Sequence, residues 1–305
     1  MNFKLKNAAF KVIENVPFGN QLHYFLQKHV TRSLSRSKQS DATYIEKFKK
    51  KVLLHIDAFR QLGITDFSSC SYYEFGAGWD LFAPIGFSAA GMKELTVVDL
   101  NPLVQTEQIC FALSFYNRCA IETGLPAMQL NGQITKENYK EFLSDELRIT
   151  YKAPYDARRT DLASESIDII VSNVSLEHIP AKDIETILKE CFRITKAGGI
   201  VSVTIDYQDH WSYFDHSISV YNYMKYEESE WAKYNPGLHF QNRLRHCDYA
   251  EMFKKAGFEI VINRPREVTS DDRKMLSQVK LASCFKNYSE DDLLIREGHF
   301  VLRKP

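Results

Sequence analysis

An open, mainly parallel α/β sheet with helices on both faces is the fold the sequence predicts, and three observations predict it. Short apolar runs bounded by turn residues alternate with helical stretches over most of the 305 residues. The first of these runs ends in a glycine loop, and the second ends in an acid 23 residues after the first glycine. The composition, 44% hydrophobic and 26% charged, is that of an ordinary globular chain.

The start of the chain stands apart. Residues 1–40 carry Lys4, Lys6, Lys11, Lys28, Arg32, Arg36 and Lys38 against Glu14 alone, a local charge of +6 in a chain whose net charge is zero. Phe3, Leu5, Phe10 and Ile13 give this stretch an amphipathic spacing. It could touch an anionic membrane or nucleic acid, or it could be a solvated helix packed beside the main domain. The −6 left for the rest opposes polyanion binding and favours the second reading. Residues 1–40 are therefore expected as a basic helical extension, Thr31–Asp41 as its linker, and 41–305 as the main domain.

Ser40 or Asp41 caps a helix in which Ile45, Phe48, Val52, Ile56 and Phe59 form one apolar stripe, with Gly63 as its stop. Ser71–Phe75 then reads as a strand, Asp80–Ala90 as a helix, Leu95–Leu100 as a strand and Leu103–Glu122 as a helix. An insertion at about 124–147 holds an extra helix before the strands Arg148–Tyr155 and Ile167–Ser172. Ile184, Ile187, Leu188, Cys191 and Phe192 mark a helix that stops at Gly198-Gly199, ahead of the strand Ile200–Asp206. A second insertion, about 207–246, is polar and aromatic and reads as a lid. The helix Asp248–Ala256, the strand Phe258–Asn263, one more helix and the strand Gly298–Arg303 bring the strands to seven.

Several classes are excluded. No apolar run approaches the ~20 residues that cross a bilayer, and the N-terminus lacks the apolar core of a secretory signal. Six scattered cysteines form no C-x-x-C pair, which suits a reducing cytosol and argues against structural zinc or disulfides. No metal is expected.

Parallel sheets bind ligands beyond the carboxyl ends of their strands. The first strand ends in Glu74-Phe75-Gly76-Ala77-Gly78-Trp79-Asp80, where Gly76 and Gly78 let backbone pass close to a ligand. The second ends in Val97-Val98-Asp99, a carboxylate placed to accept both hydroxyls of a ribose. Trp79 and Asp80 put bulk and negative charge where a dinucleotide would rest its pyrophosphate on the helix N-terminus. Glu74 and Asp80 suit cations instead. S-adenosylmethionine, with a sulfonium, an ammonium and no phosphate, fits that charge pattern.

From roughly Tyr44 to the C-terminus these features resemble the class I S-adenosylmethionine-dependent methyltransferases, in particular the small-molecule type 11-like group. The resemblance implies a Rossmann-like, seven-stranded sheet. It implies that Glu74, Gly76, Ala77 and Gly78 hold the methionine part, with Asp80 where the family has a third glycine. Asp99, with Leu100 beside it, would hold the ribose. Asp156-Ala157, twelve residues before Asp168, would face the adenine, and Asn173-Val174, in the run Ser172–Ile179, would line the side of the methyl group. Lys196-Ala197-Gly198-Gly199, Ala256-Gly257-Phe258 and the terminal Arg303-Lys304-Pro305 are similar to family landmarks.

Methyl transfer needs an aligned nucleophile and, for a hydroxyl acceptor, a group that takes its proton. His178 after the fourth strand and Asp206, Asp209 and His210 after the fifth are candidate bases, with His210 and His178 foremost. In the lid, His216, Tyr221, Tyr223, His239 and Arg243 suit a sugar or phenolic ring with an attached acid or phosphate. Those aromatics could equally pack a small core of the lid itself. Arg243 and Arg245, one residue apart, cannot both face inward without adjustment. Asn173-Val174-Ser175-Leu176 stands where amino-group methylators of bases often carry an Asn-Pro-Pro-Tyr-like tetrapeptide. The expectation is a soluble cytoplasmic enzyme that methylates oxygen on a small molecule, a saccharide or a phenolic secondary metabolite. An RNA or protein methyltransferase using the basic extension, and a non-catalytic binding protein, are the alternatives; zero net charge counts against nucleic acid.

Overall fold

Seven β-branched and aromatic runs pair into one sheet in the order β3-β2-β1-β4-β5-β7-β6. The computed structural model describes residues 2–15, 40–92 and 94–305. The strands are β1 (Ser71–Phe75), β2 (Glu94–Val98), β3 (Ile149–Lys152), β4 (Ile167–Asn173), β5 (Thr195–Asp206), β6 (Glu259–Pro265) and β7 (Glu297–Arg303). The first five are parallel, and β7 runs antiparallel between β5 and β6.

Period-2 alternation sends neighbouring residues to opposite faces. Tyr72, Ile169, Val171 and Val301 bury in one core, while Tyr73, Phe75, Ile170 and Phe300 bury in the other. The first core is covered by α2 (Asp41–Phe48), α3 (Leu54–Gln61), α4 (Phe82–Ala89), α5 (Thr106–Arg118) and α6 (Tyr139–Leu147). The second is covered by α7 (Ala181–Ile194) and α8 (His246–Lys255). From β1 the chain builds outward through β2 and β3, then returns to place β4 on the other side of β1. The crevice beyond the carboxyl ends of β1 and β4 is the reversal point of the sheet, where such folds place ligands.

Local differences from the expected elements have physical causes. A π-helical turn, Lys49–Leu53, joins α2 to α3. Its wider turn lets Tyr44, Phe48, Val52 and Ile56 stay on one buried face at four-residue steps, with Tyr44 in the place expected for Ile45. Ser40 supplies the cap, its Oγ accepting from the Thr43 amide. Helix α7 ends at Ile194 rather than at Gly198-Gly199. The two glycines form an irregularity at the start of β5, where Ile167 pairs with Thr195 but Ile169 with Ile200. Gly198 has φ +77°, and a Cβ on Gly199 would stand 2.7 Å from the Thr195 side chain.

A third cluster sits beside the sheet. Helix α1 (Phe3–Ile13) buries Phe3, Phe10 and Ile13 against Trp211, Tyr221, Tyr223 and Trp231 of the second insertion and Phe285 and Leu293 near the C-terminus. The Phe3 amide donates to Asp215 Oδ2 at 2.9 Å and the Gly237 amide to Glu14 Oε2 at 2.7 Å. Helix α1 is thus a packed element, and Leu5, expected on its apolar face, is exposed instead. Most of the linker Thr31–Asp41 and four of the seven basic residues lie outside the described residues. Among those described, no helix is long and apolar enough to cross a membrane. Phe10→Ala would open a cavity between Trp211 and His239, so urea unfolding should show a loss of about 3 kcal/mol; an unchanged midpoint would mean that α1 contributes no packing to this core.

Candidate functional site

A cavity of about 850 Å³ opens at the carboxyl ends of β1, β2 and β4, within the size range of small-molecule sites. Glu74, Gly76, Ala77, Gly78, Asp80, Asp99, Leu100, Asp156, Ala157, Asn173 and Val174 all line it. The structure therefore gathers into one cavity every residue that the sequence assigns to a cofactor.

The loop after β1 is set by a close approach. Gly76 has φ +79°, and a Cβ there would lie 2.2 Å from Ser175 Oγ at the exit of β4. Its glycine is required by this contact of protein with protein, where the sequence suggested an approach to ligand. The Gly78 amide donates to Asp99 Oδ2 at 3.0 Å, and the Asn101 amide donates to Asp99 Oδ1 at 2.9 Å. Asp99 is only 8% exposed. Burial pushes its pKa up while the two amides oppose the rise. Each oxygen keeps acceptor capacity beyond these bonds, as a ribose diol requires.

Glu74 is buried and accepts from the Tyr72 hydroxyl. Loss of solvent raises its pKa to about 7, with the Tyr72 bond pulling the other way. Beneath it runs a polar chain that the sequence did not reveal. Asn173 Oδ1 lies 3.0 Å from His55 Nε2, His55 Nδ1 lies 2.6 Å from Ser202 Oγ, and Ser202 Oγ lies 2.9 Å from His299 Nε2. Burial lowers the His55 pKa to about 4, so its ring is neutral and carries one proton. With Asn173 presenting its oxygen, that proton sits on Nε2 and the Ser202 hydroxyl donates to Nδ1. The only local signal for His55 was its place between Val52 and Phe59 on the buried stripe.

Two acids at the cavity wall are already answered by cations. Asp80 Oδ2 meets Lys47 Nζ at 2.6 Å, while its Oδ1 accepts from the Phe82 amide at the start of α4. Asp156 is held by Arg158, whose Nε donates to Oδ1 at 2.9 Å and whose other end reaches Asp183. The guanidinium keeps the Asp156 pKa below the usual range. Neither Lys47 nor Arg158 was among the residues singled out from the sequence. Of the two carboxylates expected to meet a cationic cofactor, Asp80 already has Lys47 as its cation, whereas Glu74 is held by the Tyr72 hydroxyl.

At the other end His178 lines the cavity, on the turn Leu176–His178 after β4. Its Nδ1 lies 2.9 Å from the Phe240 carbonyl, which fixes the proton there and leaves the lone pair on Nε2. Loss of solvent lowers its pKa to about 4, with the His210 charge contributing. His210 does not line the cavity; it stands behind His178 with ring centroids 4.8 Å apart. Its Nε2 is 3.5 Å from Asp206 Oδ2. Glu177 completes the group, its Oε1 accepting from the Asp206 amide at 3.2 Å. Asp209 is elsewhere, buried and holding the Trp211 amide and Asn222.

The residues expected to contact substrate from the lid are not brought to the cavity. Tyr221 and Tyr223 are wholly buried, their hydroxyls donating to the carbonyls of Leu294 and Tyr207. His239 packs 4.3 Å from the Trp211 ring, and His216 is exposed. Arg243 donates to the carbonyls of Tyr223 and Tyr226 and pairs with Glu228, while Arg245 donates to those of Tyr207, Asp292 and Leu293. These side chains build the third cluster because a 40-residue insertion without regular strands needs its own core. What the lid lends to the cavity is the segment Gly237, Leu238 and Phe240.

Residues 129–203 match the sequence profile of a methyltransferase domain family. This stretch runs from the first insertion through β3, β4 and α7 into β5, and includes Asp156, Asn173 and His178. No curated protein matches the chain. Among solved structures, an S-adenosylmethionine-dependent methyltransferase from Mesorhizobium loti is 14% identical and aligns over 81% of this chain and 96% of its own, with a TM-score of 0.44. Phosphoethanolamine N-methyltransferase 2 of Haemonchus contortus, in complex with S-adenosyl-L-methionine, is 16% identical over 92% of this chain and 59% of its own, at 0.45. The cyclase SpnF is 12% identical over 86% and 81%, also at 0.45.

The contact between the first loop and the exit of β4 is open to test. Gly76→Ala should cost about 2–4 kcal/mol in urea unfolding through its positive φ and the clash with Ser175. Adding Ser175→Gly should recover the clash and leave roughly 1 kcal/mol; no recovery in the double variant would place the strain elsewhere.

Proposed function

We propose that this chain, an S-adenosylmethionine-dependent methyltransferase with a class I fold, methylates oxygen on a small molecule whose acceptor is a saccharide or phenolic hydroxyl. The observation that carries this reading is the chemical polarity of a single cavity. One end offers a buried carboxylate of high pKa and an aspartate with free acceptor capacity. The other offers an imidazole nitrogen with its lone pair available, backed by Glu177, Asp206 and His210.

The residues fit the cofactor. Asp99, already oriented by the amides of Gly78 and Asn101, accepts the ribose hydroxyls. Glu74 faces the cationic methionine end, and Asp156 and Ala157 lie where the adenine would stack. When bound, S-adenosylmethionine supplies an electrophilic methyl, so that an O–CH3 bond forms as the S–CH3 bond breaks and S-adenosylhomocysteine is left. The protein's part is alignment, exclusion of water by Gly237–Phe240, and removal of the hydroxyl proton. That proton goes to the cluster at the acceptor end, which His178 Nε2 presents to the cavity. A cavity of about 850 Å³ with Gly237, Leu238 and Phe240 at its margin suits a small acceptor.

Calorimetric titration with S-adenosylmethionine and S-adenosylhomocysteine tests the cofactor end. Both should bind at micromolar level, and Asp99→Ala should weaken them by about 1–3 kcal/mol; absence of binding by either would end this reading. The Glu74 pKa of about 7 lies above that of an ordinary carboxylate, so its charge is present above pH 7 and lost below. A cation binds the ionised form, and affinity should therefore fall roughly tenfold from pH 8 to pH 6. Glu74→Gln should bind weakly with a flat profile, whereas a pH dependence kept in that variant would remove Glu74 from the role. With an acceptor in hand, His178→Ala should lower kcat by about 10²-fold or more while leaving cofactor affinity intact; full turnover would exclude it.

A further inference from the structure

We propose that Glu177, His178 and His210 bind one divalent transition-metal ion of the zinc class at the acceptor end of the cavity. One ligand atom from each lies within 4.8 Å of the other two. The donor set is two imidazole nitrogens and a carboxylate oxygen. Imidazoles select zinc and its first-row neighbours over magnesium or calcium, which take oxygen.

Two independent observations point to a ligand. Glu177 is 2% exposed and its Oε2 has no hydrogen-bond partner among the described residues, while His210 is 5% exposed and its Nε2 has only the Asp206 carboxylate, at 3.5 Å, nearby. Buried polar atoms are nearly always paired, and Glu177 Oε2, buried beside the two imidazoles, is left without a partner. The surroundings are also those of a metal site. Metal-bound histidines typically donate their second nitrogen to a carbonyl, as His178 Nδ1 does to Phe240, which leaves Nε2 as the ligand atom. The Asp206 amide holds Glu177 Oε1, and the Asp206 carboxylate, 3.5 Å from His210 Nε2, would be displaced from that nitrogen when the ion binds. Glu177 and His178 sit on the turn after β4 and His210 on the turn after β5, so adjacent parallel strands fix their separation. Bonds of ~2.1 Å bring ligand atoms to about 3.5 Å apart, which side-chain rotation of about an ångström supplies.

Three protein ligands leave an open position, the arrangement of a catalytic rather than a structural zinc site. His178 lines the cavity, so an exchangeable ligand reaches the ion from that side. With its lone pair on the ion, His178 Nε2 would no longer take the acceptor's proton; the ion would instead lower the pKa of a hydroxyl at the open position, which would release its proton to water before its oxygen accepts the methyl. This role rests on the methyl-transfer reading; the binding of the ion does not.

The test uses the full chain, stripped with chelator and titrated calorimetrically with Zn²⁺, then with Co²⁺ as a visible probe. One Zn²⁺ should bind per chain with a Kd below about 1 µM. The Co²⁺ form should show ligand-field bands without thiolate charge transfer, which separates this site from the six free cysteines. Glu177→Gln, which keeps the shape, and His210→Ala should each weaken Zn²⁺ by about 10²-fold with S-adenosylmethionine affinity unchanged and the far-UV circular dichroism of a folded chain retained. No stoichiometric binding by the folded protein, or binding kept in both variants, overturns the site. Turnover that survives exhaustive chelation overturns the metal's role and leaves methyl transfer standing; stoichiometric Zn²⁺ binding without any cofactor binding supports the site and ends the methyl-transfer reading alone.

Discussion

The site depends on how closely β1 and β4 approach at their carboxyl ends. Ser175 Oγ occupies the space that a side chain on Gly76 would need, and this contact sets the loop that carries Ala77 and Gly78 past Asp99. The same β4 exit carries Asn173 toward Glu74 on one side and the turn with Glu177 and His178 on the other. One reversal in strand order thus fixes both ends of the cavity. Loops held by adjacent parallel strands move little relative to one another, which is what an in-line displacement requires of its two partners.

Behind that junction the protein spends buried polar groups rather than apolar ones. His299, Ser202, His55 and Asn173 form a chain from β7 through β5 to the methionine end of the cavity. Such a chain ties helix α3 to the sheet, because a slip of either partner would break several of its hydrogen bonds at once. Asp80 and Asp156 show the complementary device. Each lines the cavity, yet Lys47 and Arg158 neutralise them. Glu74 and Asp99, the most buried of the carboxylates that line the cavity, are held by hydrogen bonds instead.

How legible these features were in the sequence follows their range along the chain. Strand and helix placement was read well because alternation and the three-four stripe are local; β1 and the end of the sheet at Arg303 fall where those patterns put them. The helix through Phe48 was read with its buried edge one residue out, since a π turn leaves no compositional mark. Gly198-Gly199 looks like a helix stop in one dimension and is a strand irregularity in three. Of the site, the cavity-lining loops were legible because each closes a strand. The lid was not. Tyr221, Tyr223 and Trp231 carry the same local signal whether they meet a ligand or one another, and only the docking of α1 decides between the two.

The acceptor end shows most sharply what a linear reading omits. Glu177-His178 and His210 lie more than thirty residues apart, with no spacing that announces a ligand set, and the sequence placed no metal there. Parallel pairing of β4 with β5 makes them neighbours, because both segments leave the same edge of the sheet. A carboxylate buried there with Oε2 unpaired costs the fold stability. A protein that uses its apolar residues as fully as this one does could fill that space with leucine. That it keeps Glu177 and His210 beside the cavity, with Asp206 and Phe240 holding the group, is the geometry on which the proposed metal site rests.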